Sequence, residues 1–180
     1  MAKRICVYCG SRMGKNDLYQ QGAQKLGEAF ARRGIGLVYG GSDVGLMKTI
    51  ANAVMVNGGE VVGIIPTILS HREPEHTAIT ELHVVNSMHE RKALMEQLSD
   101  GFIAMPGGVG TFDELFEILA WRNLKLHEKP VGLLNIAGFY DQMMQFIEHC
   151  VWEGFIPEDV FEAIKIDDNP DQLLDKMLGR

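Results

Sequence analysis

The spacing of apolar residues changes repeatedly along this chain, and those changes lay out a fold. Ile5-Cys6-Val7-Tyr8 is a short apolar run ended by Gly10, which predicts a buried strand. From Asp17 the period lengthens to that of a helix, with Leu18, Ala23, Leu26 and Phe30 on one stripe and Gly34 as a stop. The alternation then repeats. Strands are predicted over 37–39, 60–65, 82–85, 101–105, 130–134 and 164–166, and helices over 44–56, 87–98, 111–125 and 140–152, with one more at the C-terminal end. Between Pro66 and Glu81, the residues His71, Pro74 and His76 stand among charges and predict an exposed loop. Strands that are apolar throughout and alternate with helices imply a doubly wound α/β fold, a mainly parallel sheet with helices on both faces. No composition break marks a linker, so residues 1–180 are expected to form one domain. Ligands in such folds bind beyond the carboxyl ends of the strands.

The helix over 111–125 is unusual in being apolar nearly all round. Phe112, Leu115, Phe116 and Leu119 make a core stripe, while Ile118, Trp121 and Leu124 are expected on the other side. A helix buried on two sides must meet something besides its own sheet. The C-terminal helices could supply that cover, but the expectation is a two-fold homodimer.

Composition narrows the functional classes. The 180 residues carry 46% apolar and 23% charged side chains, an ordinary globular mix. Lys and Arg number 17 against 24 Asp and Glu, a net charge of −7 that argues against nucleic acid or an anionic membrane as main partner. No apolar run approaches the ~18 residues that span a bilayer. Too few apolar residues follow Met1-Ala2-Lys3-Arg4 to make a signal segment, so a cytoplasmic location is expected. Cys6, Cys9 and Cys150 give an odd count and no disulfide framework. Cys6 and Cys9 form a C-x-x-C well before the next helix and without further ligands nearby, so they are read as structural cysteines rather than a redox pair or zinc site.

Three strand ends deliver glycine: Cys9-Gly10-Ser11, Gly40-Gly41-Ser42-Asp43-Val44-Gly45 and Pro106-Gly107-Gly108-Val109-Gly110-Thr111. Each precedes a helix, whose free N–H groups attract anions. Sharp strand-to-helix turns also need glycine for geometry alone, but three at one sheet edge favour a phosphate site. The loops lack G-x-x-x-x-G-K-[ST] and the third glycine of a dinucleotide turn. Thr111-x-x-Glu114 reads either as a capping box or as a carboxylate placed to accept ribose hydroxyls. In Met88-His89-Glu90-Arg91-Lys92, two cations occupy the unfavourable N-terminal end of a helix. They make sense there if they meet an anion or a carboxylate across the cleft.

Together these segments resemble one family. Pro106 through Glu114 matches a P-G-G-x-G-T-x-x-E signature, and Arg91-Lys92 matches its companion R-K element. Val7 to Ser11, Val38 to Gly41, Gly45-Leu46-Met47 and Lys129 to Leu133 are similar as well. The chain is identified by these motifs as resembling the LOG (Lonely Guy) family of cytokinin riboside 5′-monophosphate phosphoribohydrolases, once labelled lysine decarboxylase-like. The resemblance implies a Rossmann-like fold and a homodimer or larger assembly; separately, no His, Cys and Asp cluster suggests a metal, and no cofactor is expected. The resemblance also implies hydrolysis of a nucleoside 5′-monophosphate to free base and ribose 5-phosphate. Carried over, Arg91 and Glu114 are the catalytic pair. Lys92, Gly107, Gly108, Val109, Gly110 and Thr111 hold the nucleotide with Gly41 and Ser11, and Glu73 of the variable loop is a further contact. Arg91 either holds Glu114 ionised, lowering its pKa, or assists the leaving base.

Ser42, Lys48 and Ala120 depart from common family residues, which bears on base preference more than on reaction type. An N6-prenylated adenine and the plain adenine of AMP both stay open. The rival reading is a non-catalytic nucleotide or cofactor carrier, since molybdenum-cofactor carrier proteins look similar at the glycine loops. The joint presence of Arg91 and Glu114 weighs against it. Pyridoxal-dependent decarboxylation needs a Schiff-base lysine in a dedicated pocket, and neither Lys48 nor Lys92 is framed that way.

Overall fold

A computed structural model describes residues 3–70 and 74–179. The strands are β1 Arg4–Tyr8, β2 Gly36–Tyr39, β3 Val61–Pro66, β4 Glu81–Val85, β5 Gly101–Ala104, β6 Val131–Leu134 and β7 Ile164–Asp167. The helices are α1 Asp17–Arg33, α2 Gly45–Val56, α3 Thr67–Ser70, α4 Met88–Gln97, α5 Val109–Asn123, α6 Asp141–Trp152, α7 Glu158–Glu162 and α8 Pro170–Leu178. All neighbouring strands pair in parallel, in the order β4-β3-β2-β1-β5-β6-β7.

Alternation along the strands divides the core. Ile5, Val7, Leu37 and Tyr39 face α1, α2 and α8, where they pack on Leu26, Phe30, Ile50 and Leu174. Cys6, Tyr8, Val38 and Phe102 face the opposite way and pack with Met95 of α4 and Leu115, Ile118 and Leu119 of α5. Burial on both faces is why these strands read as continuous apolar runs. The chain steps outward from β1 to β4, returns to the centre, and continues from β5 to β7 on the other side. Such a reversal opens a crevice at the carboxyl ends of the two strands that flank it, here β1 and β5.

Three details depart from the sequence reading, one of them being the short helix α7, which no sequence pattern predicts. The segment expected as loop contains the one-turn helix α3. In α5, Ile118 is buried with Leu115 and Leu119, while Phe116 is 43% exposed. The inward face of α5 also carries Thr111 and Glu114, polar residues that are nevertheless buried. Hydropathy does not mark them, so the apparent apolar stripe slid around the helix and placed Ile118 on the wrong side.

Candidate active site

A cleft of about 600 Å³ opens at the ends of β1 and β5. Its walls come from the three glycine loops, which are tied together by backbone hydrogen bonds. Gly10 N–H donates to Pro106 O at 3.1 Å, Leu46 N–H to Gly10 O at 3.1 Å, and Met105 N–H to Tyr8 O at 2.9 Å.

One wall is the N-terminus of α5. Gly108 is its N-cap, in extended conformation and with no side-chain cap. Thr111 is therefore inside the helix, and the capping-box reading of Thr111 and Glu114 is overturned. The first N–H groups of a helix have no intrahelical acceptor, and residues 108–111 line the cleft. A Cβ on Gly107 would overlap the Thr111 hydroxyl, so glycine is required there for the turn to close. A Cβ on Gly108 or Gly110 would meet nothing within 4 Å. The packing of the protein does not require glycine at those two positions, whereas close approach of a ligand would.

The floor is built by α4. Ser87 caps this helix by accepting from Glu90 N–H at 3.1 Å, and Glu90 reaches back to Asn86 N–H at 2.8 Å. This reciprocal cap fixes the first turn and sends Arg91 inward. Arg91 is only 6% exposed. Its Nε donates to Ile64 O at 3.1 Å and its Nη2 to Gly40 O at 3.2 Å, while Nη1 lies 3.5 Å from Glu114 Oε1. A Cβ on Gly40 would overlap the guanidinium, so this glycine makes the room that Arg91 occupies.

Glu114 is 8% exposed. Burial pushes its carboxyl up to about 7, against the pull of Arg91 and Lys92 and with the help of Asp113 and Glu117. Arg91 does pull this carboxyl down, as one of the two expected roles had it, but the net value is raised because the cost of desolvating the anion exceeds the gain from the cation. Near neutrality both forms of the carboxyl are populated. Cys6 and Cys9 are free and buried, and burial raises both thiols, which fits structural cysteines.

Ser11, Arg91, Gly107, Gly108, Val109, Gly110, Thr111 and Glu114 all line the cleft. Gly41 does not. It has φ +73°, and a Cβ there would crowd Ile65 and the backbone of Ile64, so glycine serves the turn beside β3. Lys92 does not line the cleft either, since its ammonium is ion-paired with Asp113 at 3.2 Å and with Glu117. Glu73 lies outside the described residues. Sequence reasoning missed Gly40, because a glycine pair at a strand end does not reveal which member faces a distant arginine. It also missed an apolar lining formed by Met13, Met47, Met88 and Phe139. Among the described residues, no group of three or more His, Cys, Asp or Glu is arranged to hold a metal ion. No helix of these residues is long and apolar enough to cross a membrane.

A family model described as "Possible lysine decarboxylase" matches residues 47–177. The cytokinin riboside 5′-monophosphate phosphoribohydrolase LOG of Oryza sativa subsp. japonica is 50% identical over 162 residues, covering 90% of this chain and 67% of the rice protein. The chain belongs to the LOG family. A second LOG-family relative, the cytokinin riboside 5′-monophosphate phosphoribohydrolase of Rhodococcoides fascians, is 51% identical over 155 residues, 86% of this chain and 78% of its own. The LOG-family fold extends to more distant proteins. The solved molybdenum cofactor binding protein of Rippkaea orientalis superposes with a TM-score of 0.75 at 22% identity, over 99% of this chain and 97% of that one. That likeness concerns the fold alone.

Proposed function

We propose that this protein hydrolyses the N-glycosidic bond of purine riboside 5′-monophosphates, cytokinin-type nucleotides and AMP among them, to free base and ribose 5-phosphate. The observation that carries the reading is the buried Arg91–Glu114 pair at 3.5 Å, set in the same cleft as the uncapped end of α5. The names of the relatives at 50% and 51% identity support it.

The 5′-phosphate sits against the N–H groups of residues 109–111 and the Thr111 hydroxyl, where helix-end charge and glycine access favour an anion. Cleavage builds positive charge on the ribose ring. Ionised Glu114 stabilises that charge and removes a proton from the attacking water, work suited to a carboxyl that titrates near neutrality. Arg91, held by two backbone carbonyls, orients Glu114 and supplies a fixed positive charge beside the departing base. The decarboxylase description finds no support in the geometry, as no lysine among the described residues lines the cleft. The carrier reading rests on fold likeness at 22% identity and does not account for the Arg91–Glu114 pair.

A homodimer belongs to the same proposal. Phe116 and Phe155 are exposed beside an apolar hollow of about 190 Å³, and a second copy of the chain would cover them. A cytoplasmic location fits the three free cysteines.

The test is to incubate the purified protein with AMP, with isopentenyladenosine 5′-monophosphate and with isopentenyladenosine itself, and to quantify free base and ribose 5-phosphate by chromatography. Base is expected from the nucleotides and at least roughly 100-fold more slowly from the nucleoside, which lacks the phosphate anchor. Tight nucleotide binding without cleavage would overturn the hydrolase in favour of the carrier.

A further inference from the structure

We infer that Lys92 is a positioning residue that clamps α4 to α5 and so sets Arg91 against Glu114, rather than a ligand of the nucleotide. The inference rests on the hydrolase reading for its kinetic consequences, but its geometry is independent of substrate. The Lys92 side chain is 14% exposed, lies 3.2 Å from Asp113 Oδ2 and is ion-paired with Glu117. Asp113 and Glu117 are four apart and share one stripe of α5. Glu114 projects from the same helix about 100° away from Asp113. Arg91 and Lys92 are offset by the same angle on α4, so each cation meets its own part of α5. A Lys92 that reached for phosphate would leave two carboxylates behind, one of them only 23% exposed.

The clamp acts on the reacting carboxyl through charge as well as position. Arg91 and Lys92 from α4, Asp113 and Glu117 from α5, and Cys6, Tyr8 and Cys9 from β1 and the loop after it all interact electrostatically with Glu114. Without Lys92, Asp113 and Glu117 face Glu114 uncompensated, and Glu114 keeps its proton to higher pH. Removing Glu117 instead acts in the opposite direction.

The experiment compares the wild type with Lys92→Met, Lys92→Arg and Glu117→Gln, using isopentenyladenosine 5′-monophosphate and AMP over about pH 5.5 to 9. In Lys92→Met, kcat near neutrality is expected to fall roughly tenfold, with the rising limb displaced upward by about half a unit or more and KM within about threefold. Lys92→Arg should restore the limb, and Glu117→Gln should lower it. A KM raised about tenfold or more with the limb unmoved would overturn the inference and make Lys92 a phosphate ligand. The Glu114 carboxyl is titrated by ¹³C NMR in the same proteins, a readout that needs no turnover. A wild type that cleaves nothing refutes the hydrolase reading, and the midpoint of Glu114 then decides the role of Lys92. If Lys92→Met does not fold, the paired shifts in Lys92→Arg and Glu117→Gln decide it: an unmoved midpoint in Glu117→Gln overturns the clamp.

Discussion

Replacing Glu114 by Gln should abolish turnover and, at the same time, make the protein more stable. Its carboxyl rises from an ordinary 4.5 to about 7 because burial penalises the anion more than Arg91 rewards it. A rise of that size corresponds to about 3 kcal/mol of difference between the two protonation states. Below pH 4.5 the group is protonated in folded and unfolded chains alike, and burial of its charge costs nothing. Between 4.5 and about 7 the folded protein holds a proton that the unfolded chain has lost, so stability falls as pH rises. Above that range the whole penalty applies. Gln carries no charge at any pH and keeps the shape of the protonated acid. The difference between variant and wild type should therefore be near zero at pH 4.5 and reach about 3 kcal/mol at pH 8, or roughly 6–12 °C in Tm for a chain of this length. Differential scanning calorimetry of both proteins in matched buffers measures it, and groups shared by the two, such as Asp167 and Asp171, cancel. A variant no more stable than wild type at pH 8, or a difference that ignores pH, would refute the reasoning.

Three further outcomes are expected. For the wild type, log kcat/KM should rise with unit slope and level off above about pH 7, because ionised Glu114 is the reactive form; a flat profile from about pH 6 to 9 would exclude it as base. Gly110→Ala places a methyl in open space within a helix, so the fold should gain about 0.5–1 kcal/mol, while nucleotide binding measured by calorimetry should weaken at least roughly tenfold. Unchanged affinity would remove the phosphate from that helix end. Gly40→Ala drives a Cβ into the guanidinium of Arg91 and should lower kcat by about 100-fold, since small displacements of a catalytic group are costly; near-normal kcat would show that the position of Arg91 does not matter.

Much of this molecule is legible in its sequence, and the remainder is hidden for identifiable reasons. Strands buried on both faces announce themselves as apolar runs, so β1, β2, β3 and β5 fall where Ile5, Leu37, Val61 and Phe102 predict them. Arg91 and Glu114 are singled out by their neighbours in two motifs, and the fold brings them together. The true phase of α5 was not visible because two of its inward residues, Thr111 and Glu114, are polar. The start of α5 was misplaced because Gly108, which offers no side-chain cap, holds the N-cap position. Which glycine of Gly40-Gly41 faces Arg91, and which carboxylates engage Lys92, depend on contacts between elements far apart in sequence. No local pattern encodes them.

β1, which precedes the other six strands in chain order, lies in the middle of the sheet, with Ile5 paired to Leu37 on one side and to Gly101 on the other. During synthesis from the N-terminus, β1 to β4 can assemble early, but the second edge of β1 must wait for β5. Until then it is a bare apolar edge, the kind that recruits foreign strands. Arg91 emerges before Glu114 as well, so its charge has no carboxylate to sink against while the ribosome is still extending the chain. Docking of β5 and α5 therefore covers the second edge of β1 and brings Glu114 to Arg91, while β6 and β7 have still to extend the sheet. A nascent chain stalled before that event would be both inert and prone to aggregate.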